Sequence, residues 1–191
     1  MNIGIDIDDT ITNSSDIFVK YAKIYNKIHN IDHSINTDEL DQSKAFGWTQ
    51  KNQKEFALQY LKIILQEALP KENVIEAIKK LKELGCNIIF ITARKDTEVD
   101  GMYALTKQWL DDNNIEFDKL VVNCDNKLQE CINNNIKLFI DDNYFTCKQV
   151  HDSKKIEVLL YKTNYNKNYK NLEFEIVENW NEIIEKVRRK L

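Results

Sequence analysis

The chain has 191 residues, of which 42% are hydrophobic and 30% charged, so it is long and apolar enough for one domain with a packed core. Its net charge of −4 argues against a protein whose main task is to grip nucleic-acid phosphates or an anionic membrane. The four glycines are widely separated, which excludes both a P-loop and the glycine-rich dinucleotide fingerprint.

The amino-terminal stretch carries a carboxylate at position 6, where a signal peptide would be apolar, and no apolar run is long enough to span a bilayer. The four cysteines show no C-x-x-C spacing, which favours reduced thiols over a zinc or disulfide framework. We therefore expect a cytoplasmic protein with no membrane partner.

The first predicted strand covers residues 2–6, and the interval before the next strand is far longer than one crossover needs. Two amphipathic helices in this interval cannot both belong to a crossover, so we predict a helical cap over residues 13–69. Pro70 ends this insertion, and residues 72–84 form the true crossover helix. The predicted domains are therefore an α/β core, residues 1–12 and 70–191, and the cap.

Further short apolar blocks, typical of strands buried on both faces of a parallel sheet, recur along the rest of the chain. They cover residues 87–92, 119–122, 137–140 and 156–161. Helical patterns separate them, and a last helix closes the chain. The pattern predicts right-handed crossovers and a three-layer, Rossmann-like α/β sandwich with a five-stranded parallel sheet.

Carboxylates follow two of the predicted strands. Asp6 and Asp8 project to the same side of an extended chain, and Asp141-Asp142 ends the fourth strand. Each pair alone is also common in turns and helix caps. Since the carboxyl ends of parallel strands share one edge, these groups would converge there and repel one another without a cation. A hard divalent ion with oxygen ligands is the expected neutraliser, and Mg²⁺ is the natural candidate where a phosphate joins the ligands.

Hydroxyl and basic groups occur at the same predicted edge. Thr92 and Arg94 end the second strand, and Lys127 precedes a short helix that leads into the fourth strand. This joint pattern favours a catalytic site more strongly than either acidic pair alone, because a hydroxyl and basic groups meet the carboxylates at the same edge.

The set of these residues, in order, resembles the four motifs of the haloacid dehalogenase superfamily: Asp6-x-Asp8-x-Thr10, Thr92, Lys127 and Asp141-Asp142. The surroundings of Thr92, Lys127 and Asp141 are similar to the 5′(3′)-deoxyribonucleotidase branch and its bacterial relatives. The resemblance implies a phosphoric monoester hydrolase that depends on Mg²⁺. Its implied substrate is a small phosphomonoester, foremost a (deoxy)nucleoside monophosphate, with no stable nucleic-acid complex.

The resemblance also implies roles for the residues. Asp6 would attack phosphorus to form an aspartyl-phosphate, and Asp8 would act as general acid and then as general base. Thr92 and Lys127 would hold the phosphoryl oxygens. The implied metal contacts are the Asp6 carboxylate, the main-chain carbonyl of Asp8 and one member of the next acidic pair, Asp142 being favoured over Asp141. Asp9, where many relatives have glycine, is given no catalytic role.

Four residues are candidates for choosing the substrate. Arg94 either contacts the phosphate or leaving group or is a solvated arginine at a helix start. Phe46 and Trp48 flank Gly47 in a predicted non-helical stretch and are candidate walls of the substrate pocket, whereas Phe18 is predicted to be core. The tyrosines near the carboxyl end are predicted to lie in a solvated loop: Tyr161, Tyr165 and Tyr169.

Other functions share these motifs. A sugar phosphate or the 3′-phosphate of an oligonucleotide would suit the same chemistry, and transfer to an acceptor other than water would use the same residues. A non-catalytic binding module of the same fold is also an alternative, but such a module would be expected to have lost a motif residue, and none is lost here.

Overall fold

The computed structural model describes residues 1–170 and 172–190. The strands are β1 Asn2–Ile5, β2 Asn87–Ile91, β3 Lys119–Val121, β4 Leu138–Asp141, β5 Glu157–Tyr161 and β6 Glu175–Val177. The helices are α1 Ser14–Ile28, α2 Gln42–Phe46, α3 Gln50–Glu67, α4 Val74–Glu83, α5 Met102–Asp112, α6 Lys127–Asn133, α7 Tyr144–Asp152 and α8 Trp180–Arg188.

The strands form one parallel sheet in the order β3-β2-β1-β4-β5-β6. The α/β class and the parallel arrangement are as predicted, but the predicted count of five strands is wrong, because β6 adds a sixth at the edge. β6 has only three residues, two of them exposed, so it lacks the apolar run by which the other strands are recognisable.

Helices cover both faces of the sheet, because alternate strand residues point to opposite sides. On one face α4, α5 and α8 pack against side chains such as Ile3 and Ile5 of β1. On the other face α6 and α7 pack against residues that include Phe139. Gly4 points toward this second face, where an added Cβ would lie 3.0 Å from the Phe139 ring, so a glycine is needed there. The result is a three-layer sandwich.

The chain between β1 and α4 is a helical segment, residues 13–69, that has a small aromatic core of its own. α3 begins at Gln50, where Thr49 and Asn52 form a capping box. The stretch around Gly47, predicted as non-helical, contains α2, which Asp41 caps and which ends at Gly47 in the left-handed region.

The chain enters the helical segment after Thr12 and leaves it before Pro70, and contacts between these two connections join the segment to the core. Thr12 and Pro70 form an isolated antiparallel bridge, and Asn13 accepts a hydrogen bond of 2.7 Å from the Leu69 amide. The Trp109 indole in α5 donates 2.7 Å to the carbonyl of Ala68. The helical segment is thereby fixed beside the carboxyl ends of the strands. Within the described residues, no helix combines the length and apolar character needed to cross a bilayer.

Candidate active site

Three carboxylates meet at the carboxyl edge of the central strands. The chain of β1 continues in register to Asp6, whose amide donates 2.9 Å to the carbonyl of Ile140 in β4. Asp141 is the last residue of that strand, and Asp142 follows it directly. Carboxylate oxygens of Asp6, Asp141 and Asp142 all lie within 4.8 Å of one another, and all three residues are buried. The structure therefore brings the predicted acidic groups together.

Lys127 is the cation inside this cluster. It stands at the first turn of α6, and its ammonium donates to Asp6 Oδ1 and, at 2.8 Å, to Asp141 Oδ2. Burial disfavours the charged ammonium, but the negative charges of Asp141 and Asp6 outweigh it and raise the pKa of Lys127 well above its ordinary value. Lys127 thus stays charged and ties two strand ends together.

One ammonium does not neutralise three carboxylates. Burial, together with the charges of Asp141 and Asp8, raises the pKa of Asp6 to about 7, although Lys127 pulls it down. Burial and the charges of Asp141 and Asp6 raise the pKa of Asp142 well above its ordinary value. A crowded set of oxygen donors with excess negative charge fits a hard divalent cation such as Mg²⁺.

Arg94 is not a solvated arginine. Its side chain is 3% exposed, and its Nε and Nη2 each donate 2.8 Å to a different oxygen of Asp8, while Nη1 contacts Thr106 at 3.3 Å. Burial alone would raise the pKa of Asp8, but the charge and hydrogen bonds of Arg94 outweigh it and hold the pKa below its ordinary value. Arg94 therefore holds Asp8 as a carboxylate in a fixed orientation.

Two side chains support Asp142, one from the first motif and one that the sequence does not distinguish. The buried Thr10 hydroxyl donates 2.9 Å to Asp142 Oδ1, and the indole of Trp180 in turn donates 3.2 Å to the Thr10 carbonyl. Asn166, 1% exposed, donates 2.8 Å to the main-chain carbonyl of Asp142 and 2.7 Å to that of Tyr161. Asn166 lies in a stretch rich in Asn and Lys, where nothing in the sequence distinguishes it.

Asp9 joins the carboxyl end of β1 to α1. Its φ is +56°, in the left-handed region that favours glycine. Its carboxylate accepts a hydrogen bond of 2.8 Å from the Ser15 amide and a further one from the Ser15 hydroxyl, and its own amide contacts Ser14 Oγ at 3.2 Å. The residue therefore bends the chain and holds the start of α1.

These two roles of Asp9 can be separated by substitution. Asp9→Ala loses the contacts to Ser15 and keeps the left-handed strain, whereas Asp9→Gly loses the same contacts but relieves the strain. We expect Asp9→Ala to be the less stable of the two by about 1 kcal/mol in urea unfolding. Equal unfolding free energies for the two variants would contradict the assignment of strain to this residue.

A cavity of about 450 Å³ opens above the cluster. Its floor consists of polar residues from the strand ends, among them Asp6, Asp8, Thr92, Arg94 and Lys127. Its roof comes from the helical segment and is apolar: Phe18, Leu61, Ile64 and Leu65. This catalytic cavity is within the size range of small-molecule sites, with charge on the floor and apolar contact above it.

A second cavity of about 460 Å³ lies beside the catalytic one. Four residues line both cavities and lie between them: Asp9, Ser15, Phe18 and Tyr165. Tyr165, predicted to lie in a solvated loop, is therefore part of both walls. The sequence does not predict that Tyr165 lines a cavity, because this depends on the path of the loop after β5.

The two predicted aromatic wall residues have different places. Phe46 lines the second cavity, but Trp48 is 2% exposed, packs inside the aromatic core and donates its indole N–H to Asn26. Trp48 lines neither of the two cavities described above. Phe18 packs against Phe46, with ring centroids 5.3 Å apart, and also faces both cavities.

Comparisons with known proteins agree with this fold. The chain is 31% identical over 187 residues to the putative nucleotidase YqfW of Bacillus subtilis, covering 97% of this chain and 92% of that protein. A haloacid dehalogenase-like hydrolase from Streptococcus pneumoniae has the same fold, with a TM-score of 0.72 at 12% identity over 97% of both chains. So has the magnesium-bound haloacid dehalogenase hydrolase YfnB of B. subtilis, with a TM-score of 0.65 at 12% identity over 97% of both chains. No protein-family model matches the chain.

Proposed function

The chain belongs to the haloacid dehalogenase superfamily of hydrolases, as a relative of a bacterial nucleotidase group, and from this premise we propose that it is a magnesium-dependent phosphomonoesterase acting on nucleoside monophosphates. The observation that carries the proposal is the convergence of Asp6, Asp141 and Asp142 around Lys127, at the floor of a cavity of nucleotide size.

The first half of the reaction uses Asp6 as nucleophile. A carboxylate oxygen of Asp6 forms a bond to phosphorus, and the bond from phosphorus to the ester oxygen breaks. Asp8 gives a proton to the departing alkoxide, which leaves as an alcohol. Although Arg94 lowers the pKa of Asp8, an arriving phosphate adds negative charge beside it, which raises that pKa toward the value a proton donor needs.

The second half of the reaction hydrolyses the aspartyl-phosphate and regenerates the free enzyme. A water molecule attacks the aspartyl-phosphate, Asp8 takes its proton, and inorganic phosphate leaves with the Asp6 carboxylate restored. Thr92 and the Lys127 ammonium would hold the phosphoryl oxygens during both steps, since fixed donors stabilise the charge that builds there. The overall balance is one phosphomonoester and one water giving one alcohol and one phosphate.

Residues on this edge would hold the metal. We assign this role to the carboxylates of Asp6 and Asp142, with the main-chain carbonyl of Asp8, and leave Asp141 to its contact with Lys127. When bound, Mg²⁺ supplies positive charge that offsets the carboxylates and the phosphate. Thr10 and Asn166 fix the side chain and the main chain of Asp142.

We propose that the helical segment, residues 13–69, is a cap that forms the substrate pocket over the core of residues 1–12 and 70–191. Its residues Leu61, Ile64 and Leu65 form the apolar roof of the catalytic cavity, where a nucleoside leaving group would lie. Arg94 acts through Asp8 in this proposal, and Phe46 with Phe18 offers aromatic contact next to the leaving group.

A panel of phosphomonoesters tests the proposed function. Purified protein is incubated with nucleoside 5′- and 3′-monophosphates, sugar phosphates and a 3′-phosphorylated oligonucleotide, with Mg²⁺ or with EDTA, and released phosphate is measured. We expect turnover of nucleotides with Mg²⁺ and none with EDTA. Preference for a sugar phosphate would move the assignment to that substrate class, and no turnover of any compound by folded, magnesium-loaded protein would refute it.

The hydroxyl of Thr10 offers a test of the metal assignment. Thr10→Val keeps the shape but removes the hydrogen bond to Asp142, so we expect the Mg²⁺ affinity to fall roughly tenfold. The affinity is measured from the rise in thermal midpoint on Mg²⁺ titration, with Thr97→Val at an exposed position as control. If both variants bind Mg²⁺ equally well, the hydrogen bond from Thr10 does not position Asp142 for metal binding.

A further inference from the structure

The second cavity is not needed to hold the reacting phosphate, yet it adjoins the catalytic cavity. The two share Asp9, Ser15, Phe18 and Tyr165 as lining residues, so a molecule in one is in contact with the wall of the other. At about 460 Å³ the second cavity has room for more than a base ring. A single nucleoside monophosphate would not fill both spaces.

The core side of the second cavity is basic. Lys71 lines it next to the connection at Pro70, and Lys162 and Lys167 line it from the loop after β5. Lys162 pairs with Glu178 and Lys167 with Asp38, but Lys71 forms no ion pair with any described residue. The Lys71 ammonium instead lies 4.8 Å from the centre of the Tyr161 ring.

A buried hydroxyl without a partner lies on the same side. Thr163 lines the second cavity, and its Oγ1 is buried with no hydrogen-bond acceptor or donor among the described residues. Its amide is fixed by Asn166 at 2.8 Å, so the loop holds the residue in place. Buried polar atoms are nearly always hydrogen-bonded in proteins, so a small movement that exposes this hydroxyl to a ligand would give it the partner that it lacks.

The opposite side of the second cavity belongs to the helical segment and is acidic, with Asp16 and Glu39, while Phe46 adds an aromatic surface. The Lys167–Asp38 ion pair, at 2.6 Å, joins the two sides. A ligand that suits such a space has an anionic group for the basic side and hydrogen-bond donors with a flat ring for the other. Nucleotides carry both.

We propose that the second cavity binds a second phosphate group of the substrate, one that is not hydrolysed, through Lys71, Lys162 and the Thr163 hydroxyl. This inference rests on the proposed function, because the first phosphate is the one placed at Asp6. The shared chemistry is a nucleotide with two phosphate groups. Its source is either a nucleoside 3′,5′-bisphosphate or the phosphorylated end of an oligonucleotide.

The test compares kcat/KM for three substrates with the same base: a nucleoside 5′-monophosphate, the 3′,5′-bisphosphate and a 5′-phosphorylated dinucleotide. We expect one or both doubly phosphorylated substrates to be favoured by roughly tenfold, the gain of one charge-assisted contact. Lys71→Ala should lower that preference roughly tenfold, and so should Lys162→Ala. Lys170→Ala, at an exposed position that lines neither cavity, should leave it unchanged.

Binding to the Asp6→Asn variant with Mg²⁺, measured by calorimetry, separates this inference from the proposed function. Tighter binding of the bisphosphate than of the monophosphate, lost in Asp6→Asn/Lys71→Ala, supports the second site even if the enzyme hydrolyses none of the substrates. Turnover with no preference for a second phosphate, or a preference that both lysine variants retain, overturns the second site and leaves the hydrolase proposal standing. Absence of both turnover and binding overturns both.

Discussion

Replacement of Asp6 by Asn is expected to lower phosphate release by a factor on the order of 10⁴ or more, because the amide cannot form the aspartyl-phosphate. The shape of the side chain is kept, so the fold should be unaffected. In metal-free protein at pH 8 the variant should be no less stable than the parent, because it removes one of three crowded carboxylates. Initial rates on the best nucleotide and thermal unfolding measure the two effects.

Asp8→Asn is the matched control for Asp6→Asn, two residues away on the same strand end. It should slow turnover of a nucleotide by about 10² to 10⁴, since it removes the proton donor and acceptor but keeps the nucleophile. With a substrate whose leaving group needs no proton, Asp8→Asn should still form the aspartyl-phosphate, and Asp6→Asn should not. Equal loss of that intermediate in both variants would contradict the assigned roles.

Replacement of Lys127 by Met is expected to impair both stability and activity. The change leaves Asp6 and Asp141 buried without their cation, and breaking a buried ion pair in this way costs about 3–5 kcal/mol. Turnover should fall by about 10² to 10³, the usual effect of removing one donor to a phosphoryl-type transition state. Urea unfolding with EDTA and phosphate release with Mg²⁺ measure the two losses.

The loss of stability in Lys127→Met should depend on pH. The pKa of Asp6 is raised from 3.8 to about 7 in the folded chain, and without Lys127 it should be higher still. An acid whose pKa is higher in the folded than in the unfolded chain loses its proton at a lower pH in the unfolded chain. The stability of the fold therefore falls as pH rises from about 4 toward the pKa of the folded state. The deficit should therefore be larger at pH 8 than at pH 5, and Mg²⁺ should reduce it. A deficit that does not change with pH or Mg²⁺ would contradict the electrostatic explanation.

The features that the sequence predicted well are those with a strong local cause. β1, β2, β4 and β5 are continuous apolar runs, and a parallel sheet requires their carboxyl ends to share an edge, so the meeting of Asp6 with Asp141 follows from topology. Lys127 could be placed there because its helix leads directly into β4. These positions depend on chain order and not on the detailed path of any loop.

The features that escaped prediction depend on tertiary contacts. β6 is a strand because it pairs with β5, not because of its own apolar pattern. Trp48 looked like a pocket wall beside a flexible glycine, but α2 and the hydrogen bond to Asn26 direct it into the aromatic core. The sequence could place Arg94 at the edge of the site. Its bidentate contact with Asp8, however, depends on the relative position of the two strand ends, which only the folded structure gives.

The central claim is that Asp6 becomes phosphorylated during turnover, and trapping that intermediate tests it most directly. Protein is mixed with Mg²⁺ and its best nucleotide, quenched in acid within one turnover, digested and analysed by mass spectrometry. The account predicts one phosphoryl group on the peptide that contains Asp6 in the parent protein and none in Asp6→Asn. A phosphoryl group on another residue, or full turnover by Asp6→Asn, would contradict it.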